Sequence, residues 1–246
     1  MKNWKEAIEK LERGEIRSAE KRDGHWVANT AVKEMILEAF KAGYLVEEKG
    51  FVDKHNLMPQ QFTPERSIRL VPGGSSVRSG SYVAKGVIIM PPSYINIGAY
   101  VDEGTMVDSH ALVGSCAQIG KRVHLSAGVQ IGGVLEPIGL SPVVIEDDAF
   151  IGAGSVIVEG IQVGERAVIA PGVTLSKGVP VYDCVHETIL EKGAPIPANA
   201  VVVPGSRPIS KGDWAKGLKL NMNCALIIKY RDEKSEASLE LESILR

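Results

Sequence analysis

The sequence has few aromatic residues, few cysteines and no excess of basic charge. Aromatic residues make up 5% of the 246 residues, and the formal net charge of -2 at pH 7 gives no basic surface of the kind that binds nucleic acid. The three cysteines, Cys116, Cys184 and Cys224, form no CxxC or paired pattern, so we expect reduced thiols in the cytoplasm. No apolar run has the length of a membrane span or the form of a signal peptide.

An aliphatic residue recurs at every sixth position through the middle of the chain. The first series is Val77, Val83, Ile89, Ile95, Val101, Val107, Val113, Ile119, Leu125 and Ile131, and the second is Ile145, Ile151, Ile157, Val163, Ile169, Leu175 and Val181. A small or β-branched residue stands four positions after most of them, as at Ala99 and Ala117. A period of six fits neither a helix nor an alternating strand, and it is typical of a parallel β-helix built from hexapeptides.

Each hexapeptide then forms one short strand and one corner of the coil. We expect the aliphatic residue to point inward and to stack on its equivalents in the neighbouring turns. The next residue is often glycine or aspartate, as at Gly114, Gly120 and Asp108, and we expect these residues to tolerate the backbone angles of the corner. A conventional sheet would not keep this spacing in phase for so long.

The residues before the repeat predict a helical region and a lead-in strand. Residues 1–13 and 27–42 have apolar side chains at helical spacing, and Gly43 is a candidate C-cap for the second helix. The polar residues 50–64 predict a loop over the start of the coil. The apolar residues 67–72 predict a strand that leads into it.

The repeat is interrupted once, and this interruption predicts an inserted loop. Ile131 and Ile145 lie 14 residues apart, so eight extra residues fall within 133–144, which contains two glycines and two prolines. Solenoids carry insertions on one face, and that face is often the binding face.

The residues after the second series predict a C-terminal extension. We expect an excursion at 182–196 and a last turn of the coil at 200–204. The final segments are predicted as a polar connection at 216–223, a strand at 224–230 and an amphipathic helix at 232–245. The predicted domains are therefore 1–76, 77–206 with the inserted loop 133–144, and 207–246.

Three motifs are more specific than the repeat. YINIGAYVDEGTMVDS begins at Tyr94, VGSCAQIGK at Val113 and IGGVLEP at Ile131. Together with the residues around them, from 68 to 155, they resemble the tetrahydrodipicolinate N-succinyltransferases, hexapeptide-repeat acyltransferases of bacterial lysine and diaminopimelate biosynthesis. The likeness extends back to residues 24–40 and forward to the terminal strand.

The resemblance implies a mainly β fold: a left-handed parallel β-helix with a small N-terminal helical domain and a C-terminal strand–helix extension. It implies a homotrimer that transfers succinyl from succinyl-CoA, a co-substrate that is not permanently bound, to the amino group of acyclic tetrahydrodipicolinate. The donor would lie between neighbouring coils, so that subunits share each site. The alternatives are acetyl transfer from acetyl-CoA to the same acceptor and, from another class, a non-catalytic scaffold, for which uniform coils without loops are expected.

Two residues match the family's acceptor-binding positions. Arg69, in the sequence RLVP, matches its substrate-binding arginine, and a guanidinium fork fits carboxylate geometry. Asp108, in GTMVDS, matches an aspartate that contacts substrate, and a carboxylate there can help to make the attacking amine neutral. Asp102 and Asn96 stand at equivalent corner positions, so the residues alone do not separate the three.

A second carboxylate, which some family members use in catalysis, is missing from its usual position in this chain. Some members have a glutamate directly after the IGA-x-S segment, whereas this chain has Val156. Glu136 in the inserted loop, or a water held by Asp108, could serve instead. The N–H groups of Gly132 and Gly133 could stabilise the oxyanion of the tetrahedral intermediate, with Gly133 as a substrate-binding residue, or these glycines could simply begin the loop.

Basic side chains are needed for the phosphates of CoA. The candidates are Lys177, Arg166, Arg207 and Lys211, of which we select Lys177 and Arg207. His110 and His124 are 14 residues apart, which is not a multiple of six, so we expect them to face different directions. We therefore predict no metal site.

Overall fold

Two helices and two hairpins precede the coil in the computed structural model, which describes residues 3–48 and 50–231. The elements are α1 (Trp4–Glu12), β1 (Ala19–Arg22), β2 (His25–Ala28), α2 (Thr30–Ala42), β3 (Leu45–Glu48) and β4 (Phe51–Lys54). β1 pairs with β2 and β3 pairs with β4, both antiparallel. No helix in the described ranges is long and apolar enough to cross a membrane.

Both predicted helices are present, but the second begins later than expected. Val27 pairs with Glu20 in the β1–β2 hairpin, and the side chain of Asn29 caps α2 by accepting a hydrogen bond from the N–H of Val32. Gly43 is the C-cap, as predicted. The prediction of a loop over 50–64 is wrong at its start, because Phe51 and Val52 pair with the preceding strand in a β-hairpin.

The coil consists of two-residue strands on three faces. In chain order they are β5 (Arg69–Leu70), β6 (Ser76–Val77), β7 (Tyr82–Val83), β8 (Ile88–Ile89), β9 (Tyr94–Ile95), β10 (Tyr100–Val101), β11 (Met106–Val107), β12 (Leu112–Val113), β13 (Gln118–Ile119), β14 (His124–Leu125), β15 (Gln130–Ile131), β16 (Val144–Ile145), β17 (Phe150–Ile151), β18 (Val156–Ile157), β19 (Gln162–Val163), β20 (Val168–Ile169) and β21 (Thr174–Leu175). Pairing orders β7, β10, β13, β16 and β19 on the first face, β5, β8, β11, β14, β17 and β20 on the second, and β6, β9, β12, β15, β18 and β21 on the third. The pairing is parallel throughout these ladders, so the predicted parallel β-helix with a helical N-terminal region is confirmed.

The core is the stack of inward aliphatic side chains. The second residue of nearly every coil strand is buried, and Ile119, Ile131 and Ile157 have no exposed surface. The small residues at the corners are buried as well. Where a corner residue is polar it bonds to the next turn, since Thr105 Oγ1 donates to the carbonyl of Gly120 at 2.8 Å. Each buried aliphatic side chain stabilises the coil by roughly 1.5–3 kcal/mol relative to an exposed one.

The glycines at the start of the corners have a different role from the one predicted. Gly114 and Gly120 do not have positive φ angles; the left-handed position falls two residues later, at Cys116 (φ 67) and Arg122 (φ 52). A Cβ atom on Gly114 would lie 2.2 Å from the backbone nitrogen of Gly133 in the next turn. Close approach between turns, rather than backbone conformation, therefore requires glycine there.

The end of the coil departs from the hexapeptide pattern. β22 (Val181–Asp183) leaves the coil and pairs with β23 (Thr188–Ile189), whereas Ile196 pairs with Val163 on the first face. The prediction that Val181 continues the repeat is wrong, because the excursion begins before that residue.

A long antiparallel pair closes the described chain. β24 (Ala200–Pro208) pairs with β20 through Val201 and Val202, which confirms the last turn, and then runs antiparallel to β25 (Asn221–Tyr230). The short helix α3 (Asp213–Gly217) lies between them, so the predicted connection at 216–223 is shorter than expected. The predicted helix at 232–245 lies outside the described residues.

Asp183 joins the excursion to β25. Its buried carboxylate accepts a hydrogen bond from the Tyr230 hydroxyl at 2.5 Å, lies 2.8 Å from Nδ1 of His186, and accepts the N–H groups of Val185 and His186. Burial acts to raise the pKa of Asp183, but these hydrogen bonds outweigh it and lower the pKa to about 2. Burial and the same contact raise the pKa of Tyr230 to about 12.

We expect Asp183→Asn to lower the free energy of unfolding by about 2 kcal/mol at neutral pH, since it weakens hydrogen bonds to a charged group. The folded pKa lies below the ordinary value of 3.8, so this stabilisation is complete above that value and is lost as the pH falls towards about 2. Urea unfolding of both proteins at neutral and acidic pH measures the difference. Asp213→Asn, at an exposed carboxylate, is the control. An Asp183→Asn effect of equal size at both pH values would contradict the prediction.

Candidate functional site

Arg69 lies on the second face of the coil, and Asp108 lies at the corner that forms one edge of this face. Arg69 begins β5 on the second face, and Asp108 follows β11 at the corner between the second and third faces. Two strand steps separate β5 from β11, which corresponds to about 10 Å along the coil. A small elongated ligand at this edge could therefore contact both side chains.

Asp108 and its two sequence equivalents stand at different corners of the coil. Oδ1 of Asp108 accepts the N–H of Ser109 at 2.7 Å, and Asn96 and Asp102 make the same corner hydrogen bond at 2.8 Å each. The three residues stand at three different corners, of which the Asp102 and Asp108 corners border the second face that carries Arg69 and the Asn96 corner does not.

The reactive atoms of this edge are available to a ligand. Within the described residues, Oδ2 of Asp108 accepts no hydrogen bond. The exposed guanidinium of Arg69 likewise forms no ion pair with a described carboxylate. A cation and a carboxylate are thus presented together without being neutralised by the protein.

The two histidines of the repeat lie on different parts of the coil. His110 occupies the same corner as Asp108 in the left-handed conformation (φ 62), and its N–H donates to the carbonyl of Pro92. His124 points outward from the second face, where its ring stacks on Phe150 at 4.9 Å. In the part of the chain that the structure describes, no group of three His, Cys, Asp or Glu side chains could hold a metal ion.

The inserted loop leaves the opposite edge of the third face. It follows β15 and returns at β16, so Gly133 and Glu136 stand at the corner between the third and first faces, away from Asp108 of the same chain. Glu136 is exposed. The N–H of Gly132 donates to the carbonyl of Ile157 at 2.8 Å, so of the two candidate oxyanion donors only Gly133 keeps an N–H without a backbone acceptor in the described chain.

Val156 lies on the third face, at the position where some family members have a glutamate, so this face carries no acid there. It points outward from β18, half-buried between Gln130 and Thr174 of the adjacent strands. The nearby Glu159, at the next corner, accepts the N–H of Lys177 at 2.8 Å and is held towards the C-terminal end of the coil.

Lys33 on α2 supports the inserted loop and was missed by the sequence analysis. Its side chain is fully buried, and Nζ donates to the carbonyls of Val134 and Leu140, both at 2.6 Å. Burial lowers the pKa of Lys33, while the neighbouring Cys116 acts to raise it. The available signal was a lysine three residues before Ile36, on the apolar face of the helix.

Cys116 lies beside this lysine in the core between the helices and the coil. Its side chain is fully buried, and burial raises the pKa of the thiol to about 11. The thiol is therefore protonated at neutral pH, which agrees with the reduced state expected from the sequence.

Lys177 and Arg207 line one pocket at the C-terminal end of the coil. The pocket has a volume of about 290 Å³, and its charged lining includes Lys177, Lys192, Arg207 and Glu191. Nε of Arg207 is buried and has no hydrogen-bond partner among the described residues. The excess of basic groups suits a phosphate-bearing ligand.

The two remaining basic candidates lie elsewhere. Nε of Arg166 donates to Asn199 at 2.9 Å at a corner between the first and second faces, and Lys211 is exposed on the C-terminal extension. Lys192, which belongs to the 182–196 excursion, completes the basic set of the pocket but was not among the sequence candidates.

The N-terminal segment covers one face of the coil and leaves another open. On the first face, the guanidinium of Arg17 lies 3.7 Å from the ring centroid of Tyr100, and Nε2 of Gln162 donates to the carbonyl of Trp26. The outward row of the second face is half-buried and largely apolar and continues from Arg69. Its members are Ile88, Met106, His124, Phe150 and Val168.

Comparison with protein families gives two matches. Residues 2–41 match the model described as the tetrahydrodipicolinate N-succinyltransferase N-terminal region, and residues 142–177 match the hexapeptide repeat of succinyl-transferase. These matches include α2, which carries Lys33, and the coil that leads to the basic pocket.

Two curated relatives and one solved structure are similar over most of the chain. The 2,3,4,5-tetrahydropyridine-2,6-dicarboxylate N-succinyltransferase of Azoarcus sp. is 46% identical over 98% of this chain and 88% of its own length. The protein of the same name from Paraburkholderia phymatum is 46% identical over 98% of this chain and 87% of its own. A Campylobacter jejuni structure described as a 2,3,4,5-tetrahydropyridine-2-carboxylate N-succinyltransferase shares the fold, with a TM-score of 0.58 and 18% identity over 91% of this chain and 62% of that chain.

The chain has a hexapeptide coil, its N-terminal helices match the family model, and nearly its whole length aligns with both curated relatives at 46% identity. The chain belongs to the tetrahydrodipicolinate N-succinyltransferase family.

Proposed function

We propose that this protein transfers the succinyl group of succinyl-CoA to the amino group of acyclic tetrahydrodipicolinate in lysine and diaminopimelate biosynthesis. The relatives from Azoarcus sp. and Paraburkholderia phymatum are named for succinyl transfer to this acceptor. The observation that carries the proposal is the edge formed by Arg69 and Asp108, which offers a cation and a carboxylate that are not paired with described residues. A cytoplasmic setting is supported by the free cysteines.

The acceptor side of the reaction uses Arg69 and Asp108. The guanidinium binds one acceptor carboxylate through parallel N–H donors, and Oδ2 of Asp108 accepts a hydrogen bond from the amine. The neutral amine attacks the thioester carbonyl, a C–N bond forms, and the C–S bond breaks as CoA leaves. The proton lost by the nitrogen passes to Asp108, directly or through water, and from there to the departing thiolate.

The inserted loop contributes to the tetrahedral intermediate. The N–H of Gly133 is an oxyanion donor in this proposal, and the exposed Glu136 is the second acid that compensates for the absence of a carboxylate at Val156. Because the loop and Asp108 occupy opposite edges of the third face in one chain, their cooperation requires a neighbouring subunit.

The donor lies in the groove between Asp108 of one subunit and the basic pocket of its neighbour. Asp108 precedes β12 and Lys177 follows β21, so they stand at opposite edges of the third face, and three strand steps separate them by about 14 Å along the coil axis. The extended arm of CoA, between thioester and phosphates, can span such a distance. Lys177 and Arg207 then bind the phosphates of succinyl-CoA, a co-substrate that leaves as CoA.

The protein acts as a homotrimer with sites between subunits. The apolar row on the second face supports this proposal, since it lies beside Arg69 and Asp108 and outside the surface covered by the N-terminal segment. A cyclic arrangement brings the Asp108 edge of one subunit against a different surface of the next, which is a heterologous contact.

The function is tested by measuring thiol release with tetrahydrodipicolinate and either succinyl-CoA or acetyl-CoA. We expect a higher kcat/KM for succinyl-CoA. A preference for acetyl-CoA would support the alternative donor, and an absence of acceptor-dependent release with both donors would favour the non-catalytic scaffold.

For the acceptor site, we expect Arg69→Ala to raise KM for the acceptor at least tenfold, because one charged anchor is lost.

We expect Asp108→Asn to lower kcat by about 10²–10⁴-fold, since the amide cannot accept the proton. Steady-state kinetics measures both effects. Asp102→Asn is the matched control, because it alters the same corner hydrogen bond at another corner. Equal losses in Asp102→Asn and Asp108→Asn would contradict the assignment.

For the shared site, we expect Lys177→Ala combined with Arg207→Ala to raise KM for succinyl-CoA, with Lys211→Ala as the control.

Co-expression of this double variant with Asp108→Asn should restore activity at low donor concentration. Random assembly of trimers leaves about one quarter of intersubunit sites with both partners intact. Light scattering should give the trimer mass. A monomer mass, or no recovery in the mixed protein, would show that each chain forms its site alone.

A further inference from the structure

Lys33 is a buried cation whose described polar contacts are both with the inserted loop. The side chain has no exposed surface, and no described carboxylate lies within ion-pair distance of it. A buried ammonium is costly unless hydrogen bonds satisfy it. The acceptors here are the carbonyls of Val134 and Leu140, at 2.6 Å each, so the stability of the charge and the position of the loop depend on each other.

These two carbonyls flank the tip of the loop. Gly133 lies directly before Val134, and Glu136 lies between the two carbonyl groups in sequence. One ammonium group therefore binds both the segment that leaves the coil and the segment that returns to it, below the exposed tip of the loop. This geometry limits how far the tip can move away from the coil.

Further contacts bind the base of the loop to the coil and to the N-terminal region. The N–H of Val134 donates to the carbonyl of Ser115, at a corner of the coil, at 3.0 Å. Leu135 packs on the core between the helices and the coil, which includes Ile36 of α2. The hydroxyl of Ser141 donates to the carbonyl of Trp26 at 3.3 Å. The N-terminal helical region therefore contacts the loop on both sides of Glu136, and Lys33 makes the charged contact.

We propose that Lys33 is a positioning residue for acyl transfer: it holds the N–H of Gly133 and the carboxylate of Glu136 where the tetrahedral intermediate forms. The inference rests on the proposed function, which assigns those two groups to the reaction. Lys33 contacts neither substrate. Its effect on the reaction passes through the backbone of the loop.

The first test compares Lys33→Met with the native protein. Methionine fills similar space but donates no hydrogen bond, so amide exchange in residues 134–140 should accelerate at least tenfold while the coil core stays protected. Because the groups on the loop act in the transition state, kcat should fall about tenfold or more, with little change in KM for the acceptor bound at Arg69. Lys41→Met, at an exposed lysine in the last turn of the same helix, is the control for removal of a lysine from α2.

Lys33→Gln provides the second test. Its amide nitrogen carries two N–H donors but no charge, so it should recover kcat and loop protection to a large extent relative to Lys33→Met. It also keeps the inference testable if Lys33→Met does not fold. Recovery of both readouts together supports positioning through hydrogen bonds.

The outcomes separate this inference from the proposed function. Native protein without acyl transfer would refute the function, while amide exchange would still test whether Lys33 holds the loop. Loop exchange unchanged in Lys33→Met, or accelerated exchange with unchanged kcat, would overturn the positioning role. Faster exchange throughout the coil with a lower melting temperature would show a general structural role and would also overturn it.

Discussion

Every turn of the coil depends on the parallel hydrogen bonds and aliphatic contacts that it makes with the turns above and below. A two-residue strand such as β13 has no stability of its own, and it forms because β10 and β16 pair with it on either side. The inward side chains, of which Ile119 is typical, form a continuous core that leaves no room for a change of spacing. Corners must also approach closely, which is why Gly114 cannot carry a Cβ atom without a clash with the next turn.

This constraint assigns chemistry to the edges and interruptions. Side chains on the inside are used for packing, so reactive groups can stand only at corners, on outward positions or in insertions. Asp108 is a corner residue, Arg69 begins the second face, and Glu136 belongs to the insertion. Corners of one type stack at a spacing of about 5 Å, so an elongated acyl donor can contact regularly spaced groups along the coil.

The N-terminal helical region supports the irregular inserted loop through contacts that the regular coil does not provide. The loop has few backbone hydrogen bonds to the coil, and Lys33 and the core between the helices and the coil hold it instead. Lys33 makes this support directional, because its ammonium donates two charge-assisted hydrogen bonds to carbonyl groups of the loop. Helix α2 thereby connects the inserted loop to the helical region that packs on the coil.

The coil, its period, the place of the insertion and the candidates Arg69 and Asp108 are predictable from the sequence, because six-residue spacing and local motifs are properties of neighbouring residues. The tertiary structure is needed to assign each candidate to a corner, since Asn96, Asp102 and Asp108 make the same local hydrogen bond and differ only in the edge to which the winding brings them. It also decided that Val181 leaves the coil, that Phe51 joins a hairpin and that Lys33 reaches the loop. The path of Val181 and the position of Lys33 depend on contacts between residues that are distant in the chain, whereas the Phe51 hairpin is a local pairing with Glu48.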